Sequence, residues 1–333
     1  MGNNLLKVVV FSAQSYDEAY FKQYEGKAYQ FEYIKQALSD TTVHLATGAF
    51  AISIFVNDDA SELVLVKLAA LGIKGIAIRA AGHDQTDKNA AHRLGIHVAN
   101  VPAYSPHSIA EHTVALILSL SRHIVEADRR VKEYNFNLEP LVGFNLHHKT
   151  VGIIGVGKIG GLTAKILNGF GCNLIAFDPK PSAEFETLYG LKYTTLDILI
   201  RTSDIIVIHA PLTADTKKLI NKNTIAQMKD GVMIVNTGRG AIIDTIDAIE
   251  GIKSGKIGAL GIDVYEHEKG LFFNDHSNVI PQDDVFARLL TFKNVLITGH
   301  MAFLTTNALT SIAQTTIENI SAWEKGVDSI HEL

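Results

Sequence analysis

The hydrophobic and polar positions of this chain follow two alternating periodicities. Short apolar runs rich in β-branched residues, typical of buried parallel strands, are separated by stretches with apolar residues at helical spacing. In the first third of the chain the strand-like runs are Leu6–Phe11, Ile52–Val56, Ile73–Ile78 and His97–Asn100, and Ser61–Leu71 is one of the helical stretches between them. The pattern predicts an α/β protein. Because it recurs in two halves, we expect two parallel-sheet domains rather than one large sheet.

Three segments interrupt or extend this pattern. Val101–Pro106 contains two prolines, as a hinge or linker does. The predicted helix that follows, about Ser108 to Val125, is apolar almost all round. This is typical either of a helix buried inside a domain or of a subunit interface, and both remain open. A last helix has an apolar face from Leu309 to Trp323, and its periodicity does not say which domain it packs against.

Composition and charge narrow the function classes. The 333 residues are 47% hydrophobic and 20% charged, which is typical of a globular protein. The net charge of −5 provides no basic surface, and no apolar run approaches the ~18 residues that span a bilayer. We therefore expect no nucleic acid and no membrane as partners. With one cysteine, Cys172, and no signal-peptide pattern around Lys7, we expect a cytoplasmic protein.

The most informative segment is the glycine-rich turn Gly155–Gly160. The strand-like run Val151–Ile154 precedes it, and an amphipathic helix that Gly171 is placed to end follows it. A second strand-like run, Leu174–Phe177, then ends at Asp178. This is the order of a dinucleotide-binding βαβ unit of a Rossmann-like domain. The alternative is a tight turn that binds no ligand.

Each glycine of the turn has a separate expected role. Gly155 permits the tight turn, Gly157 lets the backbone approach a pyrophosphate, and Gly160 allows helix and strand to pack closely. The first N–H groups of the helix then face the phosphates. Asp178 lies 18 residues after Gly160. A carboxylate there accepts hydrogen bonds from a ribose and repels a 2′-phosphate, so we expect NAD as the cofactor.

A second glycine-rich turn follows the strand-like run Val232–Val235. Its residues, Asn236 to Gly240, lie where a parallel strand meets the ligand-binding edge of its sheet. The fork-shaped guanidinium of Arg239, between two glycines, suits bidentate binding of a carboxylate. The alternative is an ordinary surface arginine.

Two more strand ends carry ionisable residues. Gly261–Glu268 opens into an acidic loop that contains Asp263, and a later strand ends at His300. Reduction of a 2-keto acid needs a cation for its carboxylate, a proton donor for its carbonyl oxygen, and a group that keeps the donor charged. Arg239, His300 and Glu268 supply these in that order. A lone histidine is more often structural. His300 is favoured as the proton donor because it, Arg239 and the acidic loop all follow the carboxyl ends of strands in one domain. We find no metal-ligand spacing and expect no metal.

These motifs together resemble the NAD-dependent D-2-hydroxyacid dehydrogenases, and within them the bacterial fermentative D-lactate dehydrogenases. The likeness extends from about Val8 to Lys325. It is carried by Val101–Pro106, Gly155–Gly160, Ser203–Thr213, Asn236–Gly240, Gly261–Glu268 and Gly299–Phe303, and for the D-lactate branch by Ile54–Asp59, Gly270–Ser277 and Gln282–Arg288. The resemblance implies an NADH-dependent, reversible reduction of pyruvate to D-lactate, with a histidine as general acid and base.

The resemblance also implies an organisation into two Rossmann-like or flavodoxin-like domains with a cleft between them. Residues 1–103 and 302–333 would bind substrate, and residues 104–301 would bind NAD. The helix after Tyr104 would form the subunit interface of a homo-oligomer, a dimer or a tetramer. The implied substrate-binding residues are Phe55, Ala81, Gly82, Tyr104, Arg239 and Phe303. The implied NAD contacts are Gly155, Val156, Gly157, Ile159, Gly160, Asp178, His209, Pro211, Thr237, Gly238 and Asp263, where Asp263 supports either the nicotinamide or the surroundings of the histidine.

Three positions depart from the family pattern. Gly238 stands where serine is usual, Ala80 where cysteine or asparagine is common, and His83–Thr86 where Phe-Asn-Asn-Val is more typical. None of these is Arg239, Glu268 or His300, so the chemistry is better defined than the substrate. Phenylpyruvate, glyoxylate and hydroxypyruvate remain alternative substrates, and a non-catalytic NAD-sensing module of the co-repressor kind is the alternative to an enzyme.

Overall fold

The computed structural model describes residues 5–333 and divides the chain into two compact units. One unit comprises Met1–Ser105 and Leu304–Leu333, and the other comprises Pro106–Phe303. We call them the first unit and the second unit. Residues 1–4, which the predicted substrate domain includes, lie outside the described residues. Across the described part of the chain, no helix combines the length and the apolar character needed to span a membrane.

The first unit is a five-stranded parallel sheet in the order β2-β1-β3-β4-β5. Its strands are β1 (Leu6–Val10), β2 (Tyr29–Tyr33), β3 (Ala51–Ile54), β4 (Gly75–Ile78) and β5 (His97–Ala99), and its helices are α1 (Ser15–Phe21), α2 (Glu62–Ala70), α3 (Lys88–Arg93) and α12 (Thr306–Glu324). Short 3₁₀ turns occupy Lys22–Tyr24 and Val43–Ala46. All four strands that the sequence predicted in this region are present, and β2 was not predicted.

The last helix belongs to the first unit, which periodicity alone did not reveal. Trp323 of α12 is buried over β4, where a Cβ on Gly75 would overlap the indole ring. Below α12, Glu332 accepts hydrogen bonds from the indole N–H of Trp323 (3.0 Å) and from the backbone N–H of Val98 (3.0 Å). The segment after α12 is therefore fastened to strand β5.

The second unit is a seven-stranded parallel sheet in the order β12-β11-β10-β9-β6-β7-β8. Its strands are β6 (Thr150–Ile154), β7 (Asn173–Phe177), β8 (Lys192–Tyr193), β9 (Ile205–Ile208), β10 (Val232–Asn236), β11 (Ile257–Ile262) and β12 (Val295–Ile297). Its helices are α4 (Pro106–Ser121), α5 (Ile124–Lys132), α6 (Lys158–Gly169), α7 (Ala183–Tyr189), α8 (Leu196–Thr202), α9 (Lys222–Gln227), α10 (Thr245–Lys253) and α11 (Asp284–Leu289), and 3₁₀ turns lie at Glu139–Leu141 and Gly240–Ile242.

Both faces of this seven-stranded sheet are covered, which explains why its strands are apolar throughout. Two hydrophobic clusters, one that contains residues of α4 and α6 and one that contains residues of α8 and α10, pack against it. The strand order reverses at β6 and β9, and ligands of such sheets bind at the carboxyl ends of the strands at that point. The predicted fold class, two parallel-sheet α/β domains, is confirmed.

The long apolar helix predicted from Ser108 to Val125 is two helices, so that prediction was wrong. Helix α4 ends at Ser121 and α5 begins at Ile124, because His123 between them adopts a left-handed conformation with φ +50°. The apolar residues of α4 are buried against the second unit's own core, for example Ile117. Burial within the second unit therefore accounts for the apolar residues of α4, and a role of this helix in a subunit interface stays a prediction.

Candidate functional site

The glycine turn after β6 gives each of its three glycines a different environment. Gly155 has φ +89°, and a Cβ on it would lie 2.6 Å from the backbone nitrogen of Ala210. A Cβ on Gly160 would overlap the carbonyl oxygen of Gly155. Gly157 caps the N-terminus of α6, and a Cβ on it would meet nothing within 4 Å. Gly155 and Gly160 are thus required by the protein's own packing. Gly157 instead leaves open space before the N-terminus of α6, as a bound pyrophosphate requires.

Asp178 follows β7 and fixes the glycine turn as well as offering a carboxylate at its edge. One carboxylate oxygen accepts a hydrogen bond from the backbone N–H of Val156 (2.7 Å), and the other accepts one from the N–H of Lys180 (2.8 Å). The Val156 side chain is buried, and Ile159 lies in the first turn of α6, partly exposed. The turn, the helix N-terminus and the acid therefore have the arrangement that a dinucleotide needs, and NAD fits it.

His209 lies at the end of β9, at the point where the strand order reverses. Its Nε2 is 2.9 Å from the hydroxyl of Thr163 on α6, and its Nδ1 is 3.4 Å from the hydroxyl of Thr237 after β10. The Thr237 hydroxyl is in turn 2.8 Å from that of Thr113 on α4. Burial lowers the pKa of His209 to about 4, so the ring is neutral at pH 7. Pro211, two residues on, is exposed.

The loop that carries Arg239 is held by its neighbours on both sides. The amide of Asn236, fully buried at the end of β10, accepts from the N–H of Gly238 (3.0 Å) and donates to the carbonyl of Arg239 (2.9 Å). A Cβ on Gly240 would overlap the carbonyl group of Tyr265, so the loop packs directly on the backbone that follows β11. Arg239 itself is partly exposed, and its guanidinium donates to the carbonyl of Gly238 (3.0 Å).

The side chains of His300 and Glu268 are in direct contact, as the sequence predicts. The Nδ1 atom of His300 lies 2.8 Å from a carboxylate oxygen of Glu268, and both side chains are about one-fifth exposed. The other oxygen of Glu268 accepts from the backbone N–H of Tyr265 (3.0 Å), which fixes the carboxylate. Because Nδ1 is bound to Glu268, Nε2 is the ring atom left for exchanging a proton with a substrate.

Asp263, at the end of β11, shapes the loop that presents His300. Its backbone carbonyl accepts from the N–H of His300 (2.7 Å), and its carboxylate accepts from the N–H groups of Met301 and Ala302 (both 2.9 Å). Its side chain is 1% exposed. Of the two supporting roles expected for Asp263, the contacts are those of the second, the surroundings of the histidine.

The same carboxylate joins a small network with helix α4. It accepts from the hydroxyl of Thr298 (2.5 Å), and Nε2 of His112 lies 3.0 Å from that hydroxyl and 3.5 Å from the carboxylate. His300 has φ +54°, a left-handed conformation that is uncommon for residues other than glycine. The hydrogen bonds of Asp263 to this loop hold His300 in that conformation.

Arg239, Glu268 and His300 follow β10, β11 and β12, which are adjacent in the sheet and parallel. Their loops therefore lie side by side along one edge of the second unit. A guanidinium, a carboxylate and an imidazole at that edge can bind an anion and deliver a proton to a neighbouring oxygen.

Most of the remaining predicted substrate residues lie in the first unit. Phe55 follows β3 and is 9% exposed, and its backbone N–H donates to the buried carboxylate of Asp58 (2.5 Å). Ala81 and Gly82 follow β4, where the carbonyl of Ala81 accepts from the amide of Asn100 (2.8 Å). Tyr104, partly exposed, also belongs to the first unit, and Phe303, 6% exposed, belongs to the second. Their grouping around one substrate stays a prediction.

Sequence reasoning missed the residues that hold the site. These are Asn236, Thr298, His112, Thr113, Thr163 and Asp58, whose partners are 2 to 186 residues away in the chain. Only Asn236 had a local signal, since an Asn side chain in a turn commonly hydrogen-bonds the backbone two residues further on, here at Gly238. The others became apparent only from contacts between elements.

Known proteins resemble the chain over nearly its whole length. Residues 114–302 match the NAD binding domain of the D-isomer specific 2-hydroxyacid dehydrogenases. A D-lactate dehydrogenase of Escherichia coli is 49% identical over 98% of this chain and 100% of its own length. A structure described as the pyruvate reductase of Chlamydomonas reinhardtii is 41% identical with a TM-score of 0.91, covering 98% of both chains. A D-lactate dehydrogenase from Aquifex aeolicus, complexed with NAD and lactic acid, is 32% identical with a TM-score of 0.85 and covers 96% of both chains.

The fold and these matches define an oxidoreductase that binds NAD through its second unit. The chain belongs to the family of D-isomer specific 2-hydroxyacid dehydrogenases.

Proposed function

We propose that this protein is a D-lactate dehydrogenase that reduces pyruvate to D-lactate with NADH, and catalyses the reverse reaction. The single observation that carries the mechanism is the His300–Glu268 pair, joined at 2.8 Å at the edge of the sheet that also bears Arg239. The similar proteins described as D-lactate dehydrogenases and as a pyruvate reductase support the choice of substrate.

Each side chain of this edge has one task in the proposed reaction. Arg239 binds the substrate carboxylate through its guanidinium fork and polarises the neighbouring carbonyl. NADH, when bound, supplies the hydride that adds to the carbonyl carbon. Nε2 of His300 gives its proton to the carbonyl oxygen, and takes it back when D-lactate is oxidised.

Glu268 acts through His300 rather than on the substrate. Its contact with Nδ1 orients the ring, and its negative charge stabilises the imidazolium that must donate the proton. In the first unit, the backbone N–H groups of Ala81 and Gly82 bind the substrate carboxylate, and Phe55 and Tyr104, with Phe303 of the second unit, form the apolar walls that favour a small methyl group. His209 and Thr237 face the cofactor as neutral hydrogen-bonding groups.

The proposal is tested by NADH oxidation with a panel of 2-keto acids, followed by chiral analysis of the hydroxy-acid product. Pyruvate should be the preferred substrate and D-lactate the product. A preference for phenylpyruvate, glyoxylate or hydroxypyruvate would keep the family and change the substrate. Nucleotide binding without turnover of any 2-keto acid would contradict an enzyme and favour the NAD-sensing module.

His300→Ala tests the proton donor itself. Loss of a general acid lowers turnover about 10²–10⁴-fold. NADH affinity should be unchanged, because His300 belongs to the proton-transfer pair and not to the glycine turn. Near-normal turnover would remove His300 from the mechanism.

We also propose that the protein is a homo-oligomer, and that the surface of α5 and the segment after it forms the interface. Large apolar side chains are concentrated there, and more than half of each is exposed: Ile124, Val125, Val131, Tyr134, Phe136, Leu138 and Val142. A monomer rarely exposes such a contiguous apolar segment. Sedimentation velocity should show dissociation for Val142→Asp, whereas Ile330→Asp, which changes an equally exposed residue of the first unit, should leave the assembly intact. A monomeric wild-type protein would refute this proposal.

The expected cytoplasmic location is part of the same proposal. The buried thiol of Cys172 remains reduced in that compartment, and NADH is available there. Cell fractionation with an antibody to the protein tests it, and recovery in an extracytoplasmic fraction would contradict it.

A further inference from the structure

The ring of Phe273 contacts the imidazole of the proposed proton donor, His300, which Glu268 also contacts. The ring centroids of Phe273 and His300 are 5.6 Å apart, with the planes tilted by 40°. This is within the range of favourable aromatic pairs. The second contact of the imidazole ring is thus an apolar one that excludes water from part of its surface.

Both partners of this contact have unusual backbones. Phe273 has φ +67° and His300 has φ +54°. A bulky residue in the left-handed region is a conformational outlier, and such outliers persist only where surrounding contacts enforce them. Two strained residues in contact at one edge of the sheet indicate that their relative position matters.

The turn that carries Phe273 is built from Glu268. The backbone carbonyl of Glu268 accepts from the N–H groups of Leu271 and Phe272, both at 3.0 Å. Phe272 is 7% exposed and packs edge-on against Phe286 with centroids 5.8 Å apart, which anchors the turn in the hydrophobic core. The turn therefore begins at Glu268 and ends at Phe273, and both of these residues contact His300.

We infer that Phe273 is a positioning residue for proton transfer, which fixes the imidazole of His300 between its own ring and the carboxylate of Glu268. This inference rests on the proposed function, since it assumes that His300 moves the proton. A hydrogen bond at Nδ1 alone leaves the ring free to rock about that contact. The Phe273 ring removes this freedom and keeps Nε2 directed at the substrate oxygen.

The first test is the effect of Phe273→Leu on turnover. Misplacement of a catalytic group by about 1 Å can lower the rate about 10²-fold, so we expect a decrease of roughly 10- to 100-fold. The decrease should appear equally in kcat and kcat/KM, because the interaction matters in the transition state and not in substrate binding. Phe273→Tyr, which retains the ring, should restore most of the rate.

A double-mutant cycle separates positioning from a general structural effect. In the His300→Ala background, Phe273→Leu should cause no further loss, because the residue that it positions is gone. An equal loss with and without His300 would overturn the inference. So would unchanged turnover in Phe273→Leu alone.

Backbone strain is tested with glycine at two left-handed positions. Phe273→Gly relieves the strain but removes the ring, and it should be as slow as Phe273→Leu. His148→Gly is the matched control, because His148 has φ +65° and precedes β6 at the opposite end of the strands. It should turn over normally. Normal turnover in Phe273→Gly would show that the ring is not needed.

A spectroscopic measurement keeps the inference testable apart from the reaction. In the wild-type protein the ring current of Phe273 should shift the imidazole proton resonances of His300, which comparison with the His300→Ala variant would assign. Phe273→Leu should move those resonances while the other histidine resonances stay in place, and unmoved resonances would refute the contact. If the wild type reduces no 2-keto acid, the proposed function fails, yet this measurement still tests the contact itself.

Discussion

One substitution in the glycine turn after β6, Gly157→Ala, should weaken cofactor binding without changing the stability of the fold. A Cβ on Gly157 would meet no protein atom within 4 Å, and the backbone there has φ −78°, which alanine adopts without strain. Gly157→Ala should gain about 0.4–1 kcal/mol from reduced freedom of the unfolded chain. It should lose a similar amount because alanine is a poorer N-cap than glycine. The free energy of unfolding should therefore be nearly unchanged.

The same methyl group should weaken NADH binding clearly. It would occupy the space that the turn leaves for the pyrophosphate, and overpacking typically costs about 1–3 kcal/mol. At about 2 kcal/mol the dissociation constant of NADH rises roughly thirtyfold. Fluorescence titration with NADH, together with urea unfolding of the same preparations, measures both quantities.

Gly160→Ala and Gly169→Ala are the matched controls. A Cβ on Gly160 would overlap the carbonyl oxygen of Gly155, so this variant should lose stability and cofactor binding together. A Cβ on Gly169, at the end of α6, meets nothing within 4 Å, so this variant should change neither binding nor folding appreciably. If Gly157→Ala binds NADH as tightly as the wild type, the pyrophosphate does not approach this glycine and the reasoning is refuted.

Three further predictions concern the second unit. Burial lowers the pKa of His209 from 6.5 to about 4, so its stabilising contribution is complete above about pH 6.5 and is lost towards pH 4. The free energy of unfolding should fall by at most about 3 kcal/mol over this range. Urea unfolding at a series of pH values should show a larger fall for the wild type than for His209→Gln. Parallel plots of the free energy of unfolding against pH for the two proteins would contradict a neutral ring. Gly240→Ala should displace the Arg239 loop from Tyr265 and raise KM for pyruvate by a larger factor than it weakens NADH binding. An unchanged KM would show that the loop tolerates the methyl group. Arg239→Gln should also raise KM for pyruvate, since leaving the substrate carboxylate without its charged partner costs about 2–5 kcal/mol. Steady-state kinetics at saturating NADH measures this KM, and an unchanged value would contradict the role of Arg239.

Local patterns were sufficient for the parts of the fold that local residues determine. The apolar run before Gly155, the helix after Gly157 and the acid at Asp178 are consecutive in the chain, and the structure has them as β6, α6 and the end of β7. Gly171 was placed to end that helix and does so with φ +73°. Such signals are strong because the turn, the cap and the strand depend on neighbouring residues.

Other features depend on contacts that no local pattern encodes. The break at His123 was missed because a left-handed histidine leaves no mark in the periodicity. Likewise, Trp323 could not be assigned to a sheet until the space over Gly75 was known. The pairing of Glu268 with His300 was expected from the chemistry that a 2-keto acid requires, and support of the histidine was one of the two roles expected for Asp263. The partners of Asp263 in its network, Thr298 and His112, were not expected, because they come from other elements.

The interrupted course of the first unit has a consequence for biosynthesis. Its hydrophobic core joins Val8, Val10 and Ala77 to Ile317, Ile320 and Trp323. A ribosome makes the residues of the second unit before it reaches α12, so part of one face of the nascent N-terminal sheet stays uncovered while about 200 intervening residues emerge and fold. Chaperone dependence of this protein should therefore centre on its earliest strands, and a stop codon before α12 should leave them as targets for proteolysis.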